Sequence, residues 1–214
     1  LTTVTDSFTN FTGGTADDAF LGTMTFTGDA LADSATLTAG DALDGGAGTD
    51  TLTITVSGSA VTNVGETATP TLQNIEKVLV RSFETDASAV AGAAGAIQED
   101  SVVIDLSNAD AALETVGTSA TNNVEADVVF ANIGQLTSVE MAGLGDLRVE
   151  YTAAIVSGSS DAVSLTVSGV GATGNNSAVN LDGVETLNIT SSGTASFLDV
   201  EADDFTAVTI AGAS

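Results

Sequence analysis

The sequence predicts an all-β fold, either a β-solenoid or a β-sandwich of short strands, entered through glycine-rich turns. Glycine occurs 23 times and proline once, and threonine, serine and valine dominate, a composition that favours strands and turns over helices. Several short segments alternate apolar residues with Thr or Ser, as half-buried strands do. A glycine-rich acidic segment stands directly before the clearest of them.

Seven segments carry this strand pattern: 51–56, 78–80, 102–104, 127–130, 163–167, 186–189 and 207–210. Helix signals are scarce. Two alanine-rich stretches, 87–97 and 109–116, are helix candidates, although glycines inside the first weaken it. The core is therefore expected to consist of small β-branched side chains in thin layers.

The charge and the missing residue types exclude several classes of protein. The chain has 29 acidic and 3 basic residues and a net charge of −26, so we expect it to repel nucleic acid and anionic membranes. It has no cysteine or histidine, which excludes disulfides, thiol chemistry and the usual zinc sites. No apolar stretch reaches the length of a membrane span. Because the sequence starts without Met and ends within a repeat pattern, we expect it to be a processed or partial piece of a longer polypeptide.

A degenerate repeat runs through the second part of the chain. Each copy has an apolar residue, two small or polar residues, Val or Ile, and then Glu or Thr, and the copies are 72–76, 136–140, 181–185 and 205–209. Repeats of this kind stack and share a core. We therefore expect the apolar members to face inward and Glu76, Glu140 and Glu185 to face solvent or an ion. A leucine-rich repeat is a minor alternative, because its later Asn or Cys is missing.

The segment from Gly45 to Thr53 matches every fixed position of the nonapeptide GGxGxDxUx, a calcium-binding turn. The glycines allow positive φ, the aspartate supplies a hard anionic oxygen, and the apolar residue begins a strand. Because Ca²⁺ takes six to eight oxygens, one turn cannot complete the site. The matching positions that we expect to form it are Gly45, Gly46, Gly48 and Asp50.

Related half-motifs precede this turn. Asp41 lies nine residues before Asp50, and Asp18 and Asp6 begin similar Asp-x-apolar units. We expect Asp41 and Asp50 to ligate one Ca²⁺ between successive turns, with backbone carbonyls of the Gly45–Gly48 turn and Asp44 as further ligands. Asp18 and Asp6 are expected to serve a second, weaker site, because an alanine replaces one turn glycine there.

The segment 37–52, followed by Asn74-Ile75-Glu76-Lys77-Val78, resembles the RTX-related S-layer and β-strand-repeat surface proteins of Gram-negative bacteria and cyanobacteria. The resemblance implies a secreted, calcium-loaded protein that tiles the cell surface. It divides the chain into an RTX-like calcium-binding β segment, 1–56, and a degenerate β-strand-repeat domain, 57–214. The implied partners are copies of the chain in a lattice or filament, with cell-surface polysaccharide as a second candidate.

Other functions remain open at the level of sequence. A module of a large secreted RTX-type adhesin is the main alternative, and a phage or virus surface protein is a third. We expect no enzymatic activity, because the usual bases and nucleophiles, His and Cys, are absent. Paired carboxylates such as Asp203-Asp204 are expected to be solvated or to bind calcium.

Overall fold

The computed structural model describes residues 2–3, 10–26, 34–58, 67–84, 101–120, 127–201 and 204–212. Within these ranges all regular structure is β-strand, and no helix there has the length and apolar character of a membrane span. In chain order the strands are β1 (Thr2–Thr3), β2 (Asn10–Thr12), β3 (Ala19–Phe26), β4 (Ser34–Ala35), β5 (Ala42–Asp44), β6 (Thr51–Gly58), β7 (Thr67–Ala68), β8 (Thr71–Gln73), β9 (Lys77–Glu84), β10 (Val102–Asp105), β11 (Thr115–Thr118), β12 (Asp127–Ile133), β13 (Ser138–Ala142), β14 (Asp146–Tyr151), β15 (Ala162–Ser168), β16 (Ser177–Asn180), β17 (Thr186–Ser191), β18 (Leu198–Glu201) and β19 (Ala207–Gly212).

The described strands form three sheets. The main sheet has the order β1-β3-β6-β9-β11-β13-β15-β17-β19, with β4 also pairing with β3; the second has the order β18-β16-β14-β12-β10-β7, and the third β2-β5-β8. Neighbouring strands run parallel, except that β3 and β4 are antiparallel. From β11 to β19 the chain passes alternately between the main and second sheets. We call the stretch of chain from the start of one main-sheet strand to the start of the next a circuit.

The predicted fold class, RTX-like turns leading into a β-solenoid or β-sandwich of short strands, is wrong. Strands joined by tight hairpins would be antiparallel, whereas the described sheets are almost entirely parallel. The described strands also show no regular nine-residue repeat. Hydrogen-bonded residues at the starts of adjacent main-sheet strands are 32, 26, 24 and 21 residues apart. The described residues form a parallel β arrangement in three sheets.

Alternation of apolar and polar residues places one face of the main-sheet strands from β3 to β17 in the core. In β6 the side chains of Leu52, Ile54 and Val56 are fully buried, and the Thr residues between them are half-buried. Strand β15 alternates buried and exposed residues along its whole length. These residues pack with Phe130 and other buried residues of the second sheet in one contiguous apolar cluster. The period of two in the sequence therefore determines which face is buried.

All seven predicted strand segments lie within described strands, so these predictions are confirmed. The helix predicted over 109–116 is wrong, because turns lead there directly into β11. The candidate helix at 87–97 lies outside the described residues. The domain boundary predicted after residue 56 stays a prediction; it falls inside β6, which pairs in register with β9 over eight residues.

The degenerate repeat is confirmed in part. Five of its apolar members are buried and Phe205 packs partly buried against the core, whereas Leu136 is 38% and Val208 47% exposed. The buried members are Leu72, Ile75, Val139, Leu181 and Val184. The repeat therefore identifies core residues but aligns some copies incorrectly.

Candidate metal centre

The two glycine-rich turns of the sequence stack on each other. Strand β2 pairs with β5 and β3 with β6 at the same sequence offset, so the turn 13–18 lies over the turn 45–50. Backbone hydrogen bonds join the turns, from Gly13 N to the Asp44 carbonyl (2.7 Å) and from Ala47 N to the Gly14 carbonyl (3.0 Å). The complete nonapeptide and its partial copy are therefore structural neighbours.

We call 13–18 the upper turn and 45–50 the lower turn. Glycine is required in the lower turn for its backbone conformation and for the space that it leaves. Gly46 and Gly48 have φ of 87° and 140°, values that other residues rarely adopt. A Cβ on Gly45 would come within 2.5 Å of Asp50 Oδ2, so glycine leaves the room that this carboxylate occupies. Ala16, which replaces a glycine in the upper turn, is not among the residues with positive φ. The upper turn thus follows a different backbone path there.

Asp50 lies at the centre of the stacked turns and its side chain is fully buried. Its Oδ1 accepts a hydrogen bond from Asp18 N at 2.6 Å. Its Oδ2 is buried without a hydrogen-bond partner. Its own backbone N donates to Glu76 Oε2 at 2.6 Å. One oxygen of a buried carboxylate is therefore left without compensation, which is costly unless a proton or a cation is present.

The surroundings of Asp50 are negatively charged. Burial is the main cause that raises the pKa of the Asp50 carboxyl above the ordinary value of 3.8, and the charges of Glu76, Asp18 and Asp17 raise it further. The hydrogen bond from Asp18 N opposes this shift. Because burial and the neighbouring negative charges disfavour the ionised form of Asp50, a bound cation would stabilise this carboxylate.

Asp41 is a second buried carboxylate, with an exposed fraction of 2%. Its Oδ2 accepts hydrogen bonds from Thr38 N (2.6 Å) and Thr38 Oγ1 (3.1 Å), and its Oδ1 is buried without a partner. Asp41 directly precedes β5 and Asp50 directly precedes β6, so both belong to one circuit. The residues stacked on the two sides of Asp50 are Asp18 and Glu76. The nine-residue spacing between Asp41 and Asp50 therefore does not correspond to two successive circuits.

The other predicted ligands are distributed around this region. Asp44 Oδ1 accepts hydrogen bonds from Gly46 N (3.1 Å) and from Asn74 Nδ2 (2.8 Å). Asp18 Oδ2 accepts one from Gly14 N (2.6 Å), which closes the upper turn. Asp6 lies outside the described residues. The assignment of these residues as metal ligands stays a prediction.

Acidic side chains alone do not form a ready-made metal site in the part of the chain that the structure describes: no group of three or more converges there as metal-ligating groups do. A calcium ion at Asp50 would need backbone carbonyls or water to reach six to eight oxygens. The donor types still fit calcium, because the available groups are carboxylates and peptide carbonyls. The unpaired Oδ atoms of Asp50 and Asp41 are the strongest candidate ligands.

The sequence interpretation missed Glu76 and Asp17 as close neighbours of Asp50. An acidic residue stands directly before six main-sheet strands, and these residues are Asp18, Asp50, Glu76, Glu114, Asp161 and Glu185. In three pairs that are adjacent in the sheet, the carboxylate of the later residue accepts a hydrogen bond from the backbone N–H of the acidic residue one circuit earlier. Acid before an alternating strand is the signal that identifies this column, which we call the acidic ladder.

Comparisons with protein-family models, with curated proteins and with solved structures find no match to this chain.

Proposed function

We propose that the chain is a structural component of a calcium-dependent bacterial surface layer or extracellular array, and that it has no enzymatic activity. The observation that carries the proposal is the buried, unpaired Oδ2 of Asp50 between two stacked glycine-rich turns. This oxygen lies in a negative field from three acidic neighbours. A divalent cation would neutralise that field and supply the missing partner.

Calcium fits better than other cations. Ca²⁺ prefers carboxylate and carbonyl oxygens in flexible geometry, whereas Mg²⁺ requires near-ideal octahedral sites. Zinc, copper and nickel favour imidazole or thiolate, and the sequence has neither. We expect an affinity on the order of 10⁻⁴ to 10⁻³ M, as in extracellular calcium modules. Such an affinity implies a secreted protein at the cell surface, where calcium is abundant.

A structural function accounts for how the acidic residues are used. The carboxylates of Asp18, Asp44 and Glu185 accept backbone N–H groups at turns and strand starts. The first two bonds close turns within one circuit, and the third joins two successive circuits. A chain of net charge −26 also needs cations before copies can approach one another. Calcium would therefore serve the fold and the assembly together.

Imaging on addition of calcium tests this proposal. Purified chain is expected to be dispersed in chelator and to form sheets or fibres in millimolar calcium, as seen by light scattering and negative-stain electron microscopy. Asp50→Asn should need more calcium to reach the same scattering, whereas Asp199→Asn, which alters an exposed acid on β18, should behave as wild type. Wild type that stays monomeric at high concentration with calcium would contradict the assembly function and favour an adhesin module.

A further inference from the structure

A third turn stacks on the lower turn, on the side opposite to the upper turn. Strand β8 pairs with β5 and β9 with β6 in register, and residues 74–76 between β8 and β9 form this third turn. Asn74 is therefore level with Gly45, and Glu76 is level with Asp50. The third turn has three residues and no glycine, whereas the lower turn has six residues. The lower turn is thus enclosed between two neighbours of different length.

The two side-chain oxygens of Asp50 have different neighbours. Oδ1 accepts the hydrogen bond from Asp18 N in the upper turn. Oδ2, which is buried and has no hydrogen-bond partner among the described residues, lies close to the backbone carbonyl of Asn74. A Cβ on Gly45 would have both Oδ2 and the Asn74 carbonyl oxygen within 2.5 Å, and Ca²⁺ binds oxygen at about 2.3–2.6 Å. One Ca²⁺ can therefore contact Asp50 Oδ2 and the Asn74 carbonyl oxygen together.

The backbone conformation of Asn74 directs its carbonyl toward Asp50. Asn74 has a φ of 50°, in the left-handed region that asparagine adopts more readily than most residues other than glycine. Two hydrogen bonds hold it there, from its backbone N to Asp110 Oδ2 (3.0 Å) and from its Nδ2 to Asp44 Oδ1 (2.8 Å). The asparagine side chain therefore both permits and fixes the conformation that this carbonyl needs.

The side of the lower turn that faces the upper turn offers a weaker version of this arrangement. A Cβ on Gly13 would lie 2.6 Å from Asp18 Oδ2 and closer still to the Gly45 carbonyl oxygen. Asp18 Oδ2, however, already accepts the hydrogen bond from Gly14 N, and Asp18 is only half-buried. A buried carboxylate oxygen without a partner is the group that needs a cation most. The stronger site is therefore expected on the side of the third turn.

We propose that the calcium ion binds between the lower turn and the third turn, where Asp50 Oδ2 and the backbone carbonyl of Asn74 both coordinate it. The carbonyl of Asn74 is then a metal ligand, and the side chain of Asn74 is a positioning group for it. The nonapeptide supplies one half of the site, and a turn without the motif supplies the other half. The inference rests on the proposed function in that it takes calcium to be the cation, but it does not require the chain to assemble.

The test is the calcium dependence of the melting temperature, measured by circular dichroism on the full chain at a protein concentration at which light scattering shows dispersed chains. Asn74→Gly and Asn74→Ala both remove the hydrogen bond to Asp44, but only Ala disfavours positive φ. The rise in melting temperature with calcium concentration reports the affinity of the folded state. We expect wild type and Asn74→Gly to have similar affinities and Asn74→Ala to bind calcium about ten-fold more weakly.

Two further measurements control for a general loss of stability. Asn132→Ala removes an asparagine of similar φ, 58°, from β12, outside the candidate metal centre, so this variant should bind calcium as wild type does. In wild type, calcium should slow hydrogen exchange of the lower and third turns, 45–50 and 74–76, more than that of the upper turn, 13–18. This second readout does not depend on the folding of any variant.

The outcomes distinguish this inference from the proposed function. If Asn74→Ala binds calcium as tightly as wild type, or if calcium protects 13–18 and leaves 74–76 unchanged, the inference is wrong and calcium-dependent assembly is unaffected. An equal loss of affinity in Asn74→Ala and Asn132→Ala also overturns the inference. Wild type that binds no calcium would contradict both proposals. Wild type that binds calcium between these turns and stays monomeric would support the inference and contradict only the assembly function.

Discussion

Asp50 shows how one buried carboxylate links the sequence, the fold and the proposed binding of an ion. Its position directly before β6 makes its backbone part of the sheet start, where Glu76 N and Lys77 N both donate to the Asp50 carbonyl. Its side chain is then forced into the space that Gly45 leaves. Without a cation, this geometry places an ionised group in a buried and negative environment, which is unfavourable.

Replacing Asp50 with Asn is expected to have opposite effects on thermal stability in chelator and in calcium. In chelator near neutral pH, Asn removes the buried charge and should raise the melting temperature. In calcium, Asn removes a ligand charge and should lower it. A change of about 1 kcal/mol in the free energy of unfolding, in either direction, shifts the melting temperature of a domain of this size by about 2–4 °C. Differential scanning calorimetry resolves such a shift.

A pH series in chelator controls for other effects of Asn. A carboxyl whose folded pKa is raised contributes stability that is fully present below the unfolded pKa and is lost as the pH rises through the folded pKa. The direction of the Asp50 shift places the start of this loss above 3.8. The advantage of Asp50→Asn over wild type in chelator should therefore grow from about pH 3 to pH 7. An advantage that is constant across this range would show that Asp50 is not a buried ionised group.

At the residue scale, the sequence predicted part of the candidate site. The nonapeptide identifies Asp50 and the glycines because only those residue types allow the turn. It does not identify Glu76, whose contact with Asp50 depends on a circuit of 26 residues that no fixed period reveals. The nine-residue offset of Asp41 is a local similarity of sequence, since Asp41 and Asp50 start strands of different sheets within one circuit.

At the element scale, the copies of the degenerate repeat differ in register. Val139 pairs with Val116, which pairs with Val78, so Val139 occupies the level of Val78 and not that of Ile75. The copy 136–140 is thus displaced by three residues, and Leu136 reaches solvent. In the same way Val208 pairs with Leu187 and not with Val184. A motif of apolar spacing cannot distinguish a residue before a strand from one inside it.

This displacement predicts that two substitutions at the same position of the repeat destabilise the fold by different amounts. Leu181→Ala should destabilise the fold by about 2–5 kcal/mol, because Leu181 is fully buried and a cavity remains. Leu136→Ala should cost less than about 1 kcal/mol, because this side chain is 38% exposed. Urea unfolding monitored by circular dichroism measures both. Equal losses would restore the simple repeat and contradict the register seen here.

At the scale of the whole molecule, composition and alternation predicted strands but not their connection. Alternation with a period of two specifies which residues are buried, and all seven predicted segments are strands. Parallel pairing requires long connections, and their lengths vary from one circuit to the next. Local sequence carries no signal for such pairing, so the sequence predicts a β-solenoid or β-sandwich where the described residues form three parallel sheets.

The acidic ladder also predicts that the stability of the whole molecule depends on its counter-ions. The first four members of the ladder stack at the starts of four adjacent main-sheet strands, and these members are Asp18, Asp50, Glu76 and Glu114. Like charges at the strand spacing of about 4.8 Å repel unless they are neutralised or hydrogen-bonded. Binding of a cation should therefore be coupled to folding, with the effect concentrated in the first part of the chain, where the two turns stack.

The measurement that tests this account most directly is thermal unfolding of the wild-type chain with calcium and with excess EDTA, followed by circular dichroism and calorimetry. The account predicts a higher melting temperature in calcium on the order of 10⁻³ M, rising with calcium concentration as expected for a ligand of the folded state. In EDTA we expect earlier unfolding that begins at the stacked turns 13–18 and 45–50, which hydrogen exchange would locate. An unchanged fold and melting temperature in EDTA would show that calcium has no structural role in this protein.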